Sequence, residues 1–416
     1  MWSHLKEKGI KIPDISSKEI EEKLELVLRQ IELNGIKIDV EVFKNLSRKL
    51  EKKVEKLQTQ IYKISKEEFN IASPSQLAEV LFEKLKLPTE RLKKTKTGFS
   101  TAAMELKKIE DKHEIIKLVL EYRELTKLLS TYLKPLPLMV DKDHRLHTHY
   151  TQETSTGRLS SENPNLQNIP IRGKYGEEIR SAFISDKGKT FVVADYSQIE
   201  LRVVACLSGD QAMQEAFSTG QDVHARTAAE LYEIDITDVT KDQRRVAKTV
   251  NFGVLYGMSP YGLSQALSID QDIAAKYIER YFSVHSGIKD YCNKMIEKAK
   301  SDGHVETLFG FRKELTNINS PHYLTADAEE RVAINAPVQG TAAEILKLAM
   351  IELYEKLDQN DAKILLTVHD ELVIEVSDRC VDKIAKIVKE IMEGVVKLCV
   401  PINVDIGVGK NWADAK

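Results

Sequence analysis

A chain of 416 residues exceeds what one compact core usually holds, so roughly two to four subdomains are expected. Its 30% charged and 42% hydrophobic residues are typical of soluble globular proteins, and a formal net charge of -3 does not by itself indicate a nucleic-acid partner. No apolar run reaches the length of a membrane span, and the four cysteines are scattered without a CxxC pair. These features predict a cytoplasmic protein without a zinc site, a disulfide framework or a membrane partner.

The chain opens with a polar leader and an amphipathic helix. Apolar residues recur at helical spacing over about residues 18–33, and Asn34 with Gly35 form a pair suited to a helix stop. Asp39 and Glu41 then form a DxE pair that is similar to the first motif of proofreading exonucleases. We favour a helix N-cap for Asp39, because no partner carboxylate pattern follows it.

A long charged helix is predicted at residues 41–64, where one narrow apolar stripe is typical of an antiparallel helix pair. A short helix is predicted to begin after Ser73. A basic series then leads into residues 98–101, a loop that suits contact with a phosphate backbone, although a solvated loop explains it equally well. A further helix is predicted at residues 113–132, and two prolines after it mark a subdomain boundary. The basic series consists of Lys84, Lys86, Arg91, Lys93, Lys94 and Lys96.

Residues 145–172 are predicted to form strands and a polar loop rich in Arg, Ser, Asn and Gln. Arg158 and Gln167 in this loop are of the types that hydrogen-bond to sugars, phosphates and groove acceptors. His147 and His149 share one strand face. Because no third ligand is nearby in the sequence, we favour a polar strand edge over a metal site.

Four apolar residues run into Asp195, which predicts a short buried strand with a carboxylate at its end. Such a carboxylate is held on a rigid element and still faces solvent or a ligand. The alternative is that Asp195 caps the helix that follows, and this stretch alone does not separate the two.

Residues 244–257 predict a helix with one chemically distinct side. Arg244, Lys248, Phe252 and Tyr256 recur every four residues, so they lie along one helix side with two cations followed by two rings. Cations with rings further along suit a triphosphate with a sugar and base attached. The alternative is an ordinary amphipathic helix with basic ends.

Two later stretches carry further polar patterns. Arg331, Asn335 and Gln339 repeat every four residues in a long helix predicted at residues 326–356. Such a row is expected of a surface that tracks a duplex groove, and equally of a solvent-facing side. Residues 364–376 predict a hairpin with acidic residues at its turn, after which the chain closes with an amphipathic helix and a final strand.

Two strands that each end at an aspartate can lie side by side in one antiparallel sheet, where Asp195 and Asp370 would share two divalent cations. Two metal ions about 3.5–4 Å apart can activate an attacking hydroxyl and neutralise the leaving oxygens of a phosphoryl transfer. Mg²⁺ prefers carboxylates together with substrate phosphates, and this arrangement offers both. Arg244, Lys248 and His224 would then hold the triphosphate.

Long motifs in this order resemble those of family A DNA polymerases of the bacterial DNA polymerase I type. Residues 195–202, DYSQIELR, resemble motif A, residues 244–257 resemble motif B, and residues 368–371, VHDE, resemble motif C. The stretches 156–161, 335–341 and 407–412 match as well. The similarity runs from about residue 24 to the C-terminus, so the chain is expected to be the polymerase domain only.

The resemblance implies a role for each motif residue. Asp195, Asp370 and the carbonyl of Tyr196 would hold two Mg²⁺, with Mn²⁺ able to substitute, and Glu371 would complete the catalytic set near the primer end. Lys248 would also protonate the leaving pyrophosphate. The nucleotide-binding residues would be Gln198, Glu200, His224, Arg244, Lys248, Phe252 and Tyr256. The DNA-binding residues would be Arg158, Gln167, Arg331, Asn335, Gln339, His369, Lys93, Lys94 and Lys96.

The resemblance also implies how deoxynucleotides are selected. Glu200 would fill the space that a ribose 2′-hydroxyl needs. Tyr256 would support Glu200, and Phe252 would pack on the incoming sugar.

The implied fold is α+β, a right hand with an antiparallel-sheet palm and helical fingers and thumb. The basic 84–101 region would be the thumb tip. The parts would be a leader (1–24), a thumb that begins with a palm-base helix (25–135), a first palm segment (136–205), fingers (206–334) and a second palm segment (335–416).

The implied activity is template-directed addition of deoxynucleotides to the 3′ end of a primer, with release of pyrophosphate. Primer-template DNA and dNTPs would be the partners of a monomeric enzyme in the cytoplasm or at the nucleoid. Larger relatives carry a 5′-nuclease and a 3′–5′ exonuclease-like domain ahead of the polymerase. Only a short leader precedes the thumb here, so neither nuclease domain is expected.

Three other interpretations stay open. A single-subunit phage-type RNA polymerase shares the two-aspartate palm, but Glu200 speaks against it. Reverse transcriptase activity on RNA templates is compatible with the sequence. A DNA-binding relative without activity would have lost its catalytic carboxylates, and this chain keeps Asp195, Asp370 and Glu371.

Overall fold

The computed structural model describes residues 10–90, 92–96, 98–171 and 173–415. The start of the predicted leader, residues 1–9, and Arg91 of the basic series lie outside the described residues. Within the described ranges, no helix is long and apolar enough to cross a membrane.

Helices dominate the described chain. In chain order they are α1 (Ser17–Asn34), α2 (Val40–Ser65), α3 (Pro74–Ala78), α4 (Ala103–Lys107), α5 (Glu114–Leu128), α6 (Lys174–Ser181), α7 (Ile199–Ser208), α8 (Gln211–Ser218), α9 (Val223–Tyr232), α10 (Lys241–Leu255), α11 (Pro260–Leu267), α12 (Gln271–Val284), α13 (Ser286–Asp302), α14 (Tyr323–Lys356) and α15 (Val381–Gly394). Wider π-type turns follow α3 at Glu79–Lys84 and α5 at Leu129–Leu133, and 3-10 turns lie at Leu136–Leu138, Ile236–Asp238 and Asp378–Cys380.

The strands form one four-stranded sheet and several two-stranded ribbons. They are β1 (Ile36–Lys37), β2 (Lys94–Thr95), β3 (Gly98–Phe99), β4 (Arg145–Leu146), β5 (His149–Thr151), β6 (Ser160–Glu162), β7 (Lys189–Tyr196), β8 (His304–Glu306), β9 (Arg312–Glu314), β10 (Ala362–Val368), β11 (Glu371–Ser377) and β12 (Val404–Gly409). The large sheet is antiparallel with the order β10-β11-β7-β12, and the ribbons are β1–β4, β2–β3, β5–β6 and β8–β9.

The chain divides into two compact units. The small unit comprises Ile36–His147 and Asn168–Ile184, and the large unit comprises Met1–Gly35, Thr148–Gln167 and Ser185–Lys416. The small unit therefore contains most of the residues predicted as the thumb, and the large unit contains both aspartate strands and all of the residues predicted as fingers. The division of the large unit into palm and fingers remains a prediction.

In the small unit, α2 packs against α5. Asp39 caps α2, because its Oδ1 accepts hydrogen bonds from the backbone amides of Glu41 and Val42 at 2.9 and 3.2 Å. The predicted N-cap is thereby confirmed. The buried core of this unit includes Ile61, Leu77, Leu81, Leu106, Ile116 and Val119.

The large sheet is buried on both faces at its centre. In β7 every residue from Thr190 to Ala194 is buried. Helix α15 packs against β7, β11 and β12, while α1 packs against β10 and α14. Because side chains alternate between the two faces of a strand, a run buried on both faces leaves only the strand ends open to a ligand. The sheet is thus a rigid base whose ends can carry a site.

A capping box marks the start of helix α10. Thr240 Oγ1 accepts a hydrogen bond from the Gln243 amide at 3.2 Å, and Gln243 Oε1 accepts one from the Thr240 amide at 2.9 Å. The buried residues of α10 are Ala247, Val250, Asn251, Gly253, Val254 and Leu255. On the side that carries the predicted cations and rings, Lys248 is exposed, whereas the rings of Phe252 and Tyr256 are half-buried and pack against the edge of the core.

Helices α12 and α13 are separated by His285. The buried imidazole of His285 has Nδ1 3.0 Å from Asp210 and Nε2 3.3 Å from Glu230. Burial alone would lower the pKa of His285, but the two carboxylates raise it to about 9. The junction of the two helices is thus held by ion pairs to residues that are distant in sequence.

The expectation that the cysteines form no disulfide is wrong for one pair. Cys206 in α7 and Cys399 ahead of β12 form a disulfide between positions 193 residues apart. Cys292 and Cys380 are free thiols. Spacing along the chain does not reveal such a pair, because folding brings the two side chains together. The cysteine pattern therefore no longer supports a reducing compartment.

Candidate active site

The two predicted carboxylate strands are neighbours in the large sheet. Asp195 lies near the end of β7 and pairs in register with Glu371, the first residue of β11. Asp370 lies in the turn before β11, and its carbonyl accepts a hydrogen bond from the Tyr196 amide at 3.2 Å. Helix α7 has Gln198 at its N-cap position, so Asp195 does not cap that helix. The structure thus brings the two aspartates to one end of the sheet.

Asp370 and Glu371 lie in different surroundings. Burial raises the pKa of Asp370 above its usual value, although the nearby Arg158 and His369 act in the opposite direction. Glu371 is 4% exposed, and its Oε1 accepts a hydrogen bond from Trp412 Nε1–H at 2.7 Å. An added cation would stabilise the charged form of Asp370, whereas the carboxylate of Glu371 already has a donor from the protein.

The residues at these strand ends fit a Mg²⁺ site with few protein ligands. Asp195, Asp370 and the main-chain carbonyl of Tyr196 offer only hard oxygen donors, which Mg²⁺ prefers. The described part of the chain contains no group of three or more His, Cys, Asp or Glu side chains arranged to hold a metal. A Mg²⁺ site here would be completed by substrate phosphates and water, as is usual for this ion.

Glu200 is a buried carboxylate that is held from two sides. It lies in the first turn of α7 and is 5% exposed. The Arg158 guanidinium contacts its Oε1, and the Tyr256 hydroxyl donates a hydrogen bond to its Oε2. Burial raises the pKa of Tyr256, although the charge of Arg158 and a hydrogen bond from Gln339 lower it. Four predicted site residues from separate elements therefore meet at one point.

The open side of α10 carries the predicted nucleotide-binding residues. Lys248 is exposed, and Arg244, Phe252 and Tyr256 are half-buried. The ring centroids of Phe252 and Tyr256 lie 6.1 Å apart, and the ring of His224 lies 5.8 Å from that of Phe252. The structure thus places two cations, two aromatic rings and a histidine around one helix.

Three residues that connect α9 with α10 escaped the sequence analysis. Asp222 caps α9 through Oδ1, and its Oδ2 accepts a hydrogen bond from Arg244 Nε at 2.7 Å. Asn251 is fully buried, with Nδ2 3.0 Å from His224 Nδ1 and 3.1 Å from Thr227 Oγ1. An Asp ahead of a predicted helix is a readable cap signal. The contacts to α10 have no such signal, because they depend on how the two helices pack.

Several predicted DNA-contact residues surround the turn that carries Asp370. Arg158, Gln167 and His369 line a cavity of about 40 Å³ that Asp370 also lines. Gln167 Nε2 donates to the Thr367 carbonyl at 3.5 Å. These residues, predicted from separate stretches, are therefore brought together beside the carboxylates.

The polar row of α14 is only partly open. Arg331 is exposed and pairs with Asp327 at 3.1 Å, whereas Asn335 and Gln339 are half-buried. Asn335 Oδ1 is buried and makes no hydrogen bond to the described atoms. A buried oxygen of this kind usually has a donor, so a ligand is a natural partner for it.

The remaining predicted contact residues lie in the small unit, where the β2–β3 hairpin and its flanks expose Lys93, Lys94 and Lys96.

The two histidines considered for a metal each have a carboxylate partner of their own. His147 Nε2 lies 3.1 Å from Asp141, and His149 Nδ1 lies 3.0 Å from Glu32. The prediction that they share one strand face is wrong, because His149 lies in β5 whereas His147 lies between β4 and β5. The separate carboxylate partners favour polar surface residues over a shared metal site.

Comparison with known sequences agrees with the motifs. The family described as DNA polymerase family A matches residues 40–414. DNA polymerase I of Deinococcus radiodurans is 47% identical over 400 residues, which cover 96% of this chain and 42% of that protein. Thermostable DNA polymerase I of Thermus aquaticus is 44% identical over 402 residues, which cover 96% of this chain and 48% of that protein. The chain thus spans about half the length of the curated relatives it matches.

Comparison with solved structures agrees as well. The POL domain of Pol1 from M. smegmatis, in complex with DNA primer-template and dNTP, superposes with a TM-score of 0.92 at 38% sequence identity. The match covers 95% of this chain and 70% of that one. It confirms the predicted α+β fold of the right-hand polymerase type. With the family match extending over nearly all of its residues, the chain belongs to DNA polymerase family A.

Proposed function

We propose that the chain is a DNA-directed DNA polymerase domain, which adds deoxynucleotides to a primer 3′ end on a template and releases pyrophosphate. The observation that carries this proposal is the meeting of Asp195 and Asp370 at one end of a buried sheet, in a family A chain. The related M. smegmatis structure was solved with primer-template DNA and dNTP, the two ligands proposed for this chain. We propose that it acts as a monomer.

Asp195, Asp370 and the carbonyl of Tyr196 would hold two Mg²⁺, for which Mn²⁺ could substitute. When bound, these ions supply positive charge to the primer 3′-oxygen and to the leaving pyrophosphate. The protein's part is to preset the ligand positions. Because β7 and β11 are hydrogen-bonded neighbours inside a packed sheet, the two carboxylates need little reorganisation when the ligands arrive.

Arg244, Lys248 and His224 would bind the triphosphate. The bond to Asp222 uses Arg244 Nε, which orients the guanidinium so that its two terminal nitrogens can contact phosphate oxygens as a pair. Lys248 is exposed on the same side of α10, where its ammonium group would donate a proton to the leaving pyrophosphate.

Glu200 would select deoxynucleotides by occupying the space of a 2′-hydroxyl. Its carboxylate is buried and bonded on both oxygens, so moving aside would break its contacts with Arg158 and Tyr256. A ribonucleotide would therefore meet a side chain that resists displacement. Phe252, one helical turn before Tyr256, would pack on the sugar.

Primer-template DNA would change the partners of several residues. Arg158 contacts Glu200 in this structure and would gain groove or sugar acceptors from the primer. Asn335 would find a donor for its buried oxygen, and His369 and Gln167 line the same cavity beside Asp370. The exposed lysines of the β2–β3 hairpin would contact phosphates.

Primer extension with Mg²⁺ and dNTPs tests the proposed activity, with Asp370→Ala beside the wild type. We expect the variant to lose roughly a thousandfold or more in rate. Asp302→Asn, which alters a surface carboxylate paired with Lys298, is the matched control and should extend normally. Equal extension by Asp370→Ala would refute the site, and primer-template binding without any wild-type extension would favour a DNA-binding module.

Comparison of dNTP and rNTP incorporation tests the role of Glu200. We expect Glu200→Ala to reduce discrimination against rNTPs by roughly 10- to 200-fold, because a sugar-sized space opens. Glu215→Ala, which removes an exposed carboxylate in α8, should leave discrimination unchanged. A wild-type preference for rNTPs would instead support the RNA polymerase alternative.

A further inference from the structure

The surroundings of His224 restrict which of its ring nitrogens carries a proton. The ring is 2% exposed, and Asn251 Nδ2 lies 3.0 Å from its Nδ1. An amide NH₂ group only donates, so Nδ1 accepts if this orientation of the amide is maintained. A neutral imidazole whose Nδ1 accepts has its proton on Nε2.

Thr227 contacts the same Asn251 amide. The single hydroxyl proton of Thr227 has its shortest acceptor distance, 2.9 Å, to the Val223 carbonyl, against 3.2 Å to Asn251 Oδ1. With that proton on Val223, the Thr227 oxygen accepts, and Asn251 Nδ2 is the donor at 3.1 Å. In this orientation Asn251 Nδ2 donates to both His224 Nδ1 and Thr227 Oγ1.

We propose that Asn251 is a positioning residue that holds His224 in the Nε2–H tautomer, so that the neutral imidazole presents a donor to a triphosphate oxygen. This inference rests on the proposed function, in which His224 binds the triphosphate. Phosphate oxygens only accept hydrogen bonds. The opposite tautomer would present a lone pair to the phosphate and weaken nucleotide binding.

Burial favours the neutral form of His224, which makes the tautomer decisive. Burial lowers the pKa of His224 to about 4; Asp222, at the start of α9, acts against this, and Arg244 and Lys248 on α10 act with it. A charged imidazolium would donate from both nitrogens whatever its neighbours were. A neutral ring donates from one nitrogen only, so the neighbour of Nδ1 decides what Nε2 offers.

Long-range proton–nitrogen spectra of the whole chain with labelled histidine test the tautomer directly. The His224 signals are assigned by their loss in His224→Gln. We expect the proton on Nε2 and no titration between about pH 5.5 and 8.5. A proton on Nδ1, or titration near the ordinary pKa of histidine, would overturn the proposal. The wild-type measurement needs neither nucleotide nor polymerase activity, so it is separate from the proposed function.

Asn251→Asp tests the consequence for nucleotide binding, because a carboxylate accepts a hydrogen bond from Nδ1–H where the amide donated a hydrogen bond to Nδ1. At about pH 8 we expect its KM for dNTP to rise roughly tenfold or more with little change in kcat. The KM should recover at lower pH as the imidazolium forms. Asn360→Asp, an exposed change of the same type, is the control.

A second variant separates a role through His224 from a general loss of structure. In a His224→Gln background, Asn251→Asp should add no further rise in KM. An unchanged KM in Asn251→Asp, or an equal rise in the His224→Gln background, would overturn the proposal. If Asn251→Asp does not fold, the wild-type spectrum still decides the tautomer. Lack of extension by the wild-type protein would count against the proposed function and leave the tautomer result standing.

Discussion

The disulfide between Cys206 and Cys399 is expected to stabilise the large unit. Cys206 is 2% exposed in α7, and the bond closes a loop between positions 193 residues apart. A cross-link reduces the entropy of the unfolded chain, and for a loop of this length the chain-entropy relation gives about 5 kcal/mol at 25 °C. Residual compactness of the unfolded state makes this an upper bound.

The perturbation is the double variant Cys206→Ala/Cys399→Ala. The assay is denaturant unfolding of the whole chain, followed through the large unit. We expect the free energy of unfolding to fall by up to about 5 kcal/mol. Reductant should produce a similar decrease in the wild type and none in the double variant. Cys380→Ala removes a half-buried free thiol and is the matched control, which should keep the wild-type response to reductant.

Counting thiols in denaturant provides the refuting outcome. The structure predicts two reactive thiols without reductant, Cys292 and Cys380, and four after reduction. Four thiols without reductant would show that the bond does not form. A formed bond whose reduction leaves the unfolding curve unchanged would refute the entropic argument.

Further predictions concern stability, packing and DNA binding. Because the pKa of His285 is raised to about 9 in the folded state, its ion pairs stabilise the fold fully below about pH 6.5. Up to about 3 kcal/mol of the free energy of unfolding is lost as the pH rises to about 9. Denaturant unfolding across this range should show that decrease, and His285→Gln should remove it. Gly340→Ala should destabilise by about 1–3 kcal/mol, because its Cβ would lie 2.4 Å from Thr307 Cγ2, whereas Gly394→Ala, with nothing within 4 Å, should be tolerated in the same thermal assay. Alanines at the three lysines of residues 93–96 should weaken primer-template binding and lower the slope of log affinity against log salt by up to roughly one per lysine, and an unchanged slope would exclude them as phosphate contacts.

Much of the local structure could be predicted from neighbouring residues. The caps at Asp39 and Ser73, the strand that leads into Asp195 and the hairpin around Asp370 are all present. Each depends on side chains within a few positions of the backbone groups they satisfy, or on an apolar run that must be buried. The four-residue spacing on α10 likewise predicted its open side, because helix geometry alone sets it.

Other features could not be predicted from neighbouring residues, because the side chains that form them are distant in sequence. The ion pairs of buried His285 depend on Asp210 and Glu230, and the buried place of Glu200 depends on Arg158 and Tyr256. No window around these residues contains both partners. A buried charged side chain is stable only beside a group of opposite charge or a hydrogen-bond partner, and these partners are brought together only in the folded chain.

By itself, the sequence determined the capped helices, the buried strands, the one-sided helix α10 and, through long motifs, the polymerase family. Only the tertiary structure decided that Cys206 meets Cys399, that Asp222 orients Arg244 and that Asn251 meets His224. Local patterns follow from backbone geometry and from the need to bury apolar side chains. Contacts between distant polar groups follow from how helices and strands pack, because desolvated groups are stable only beside a matching partner.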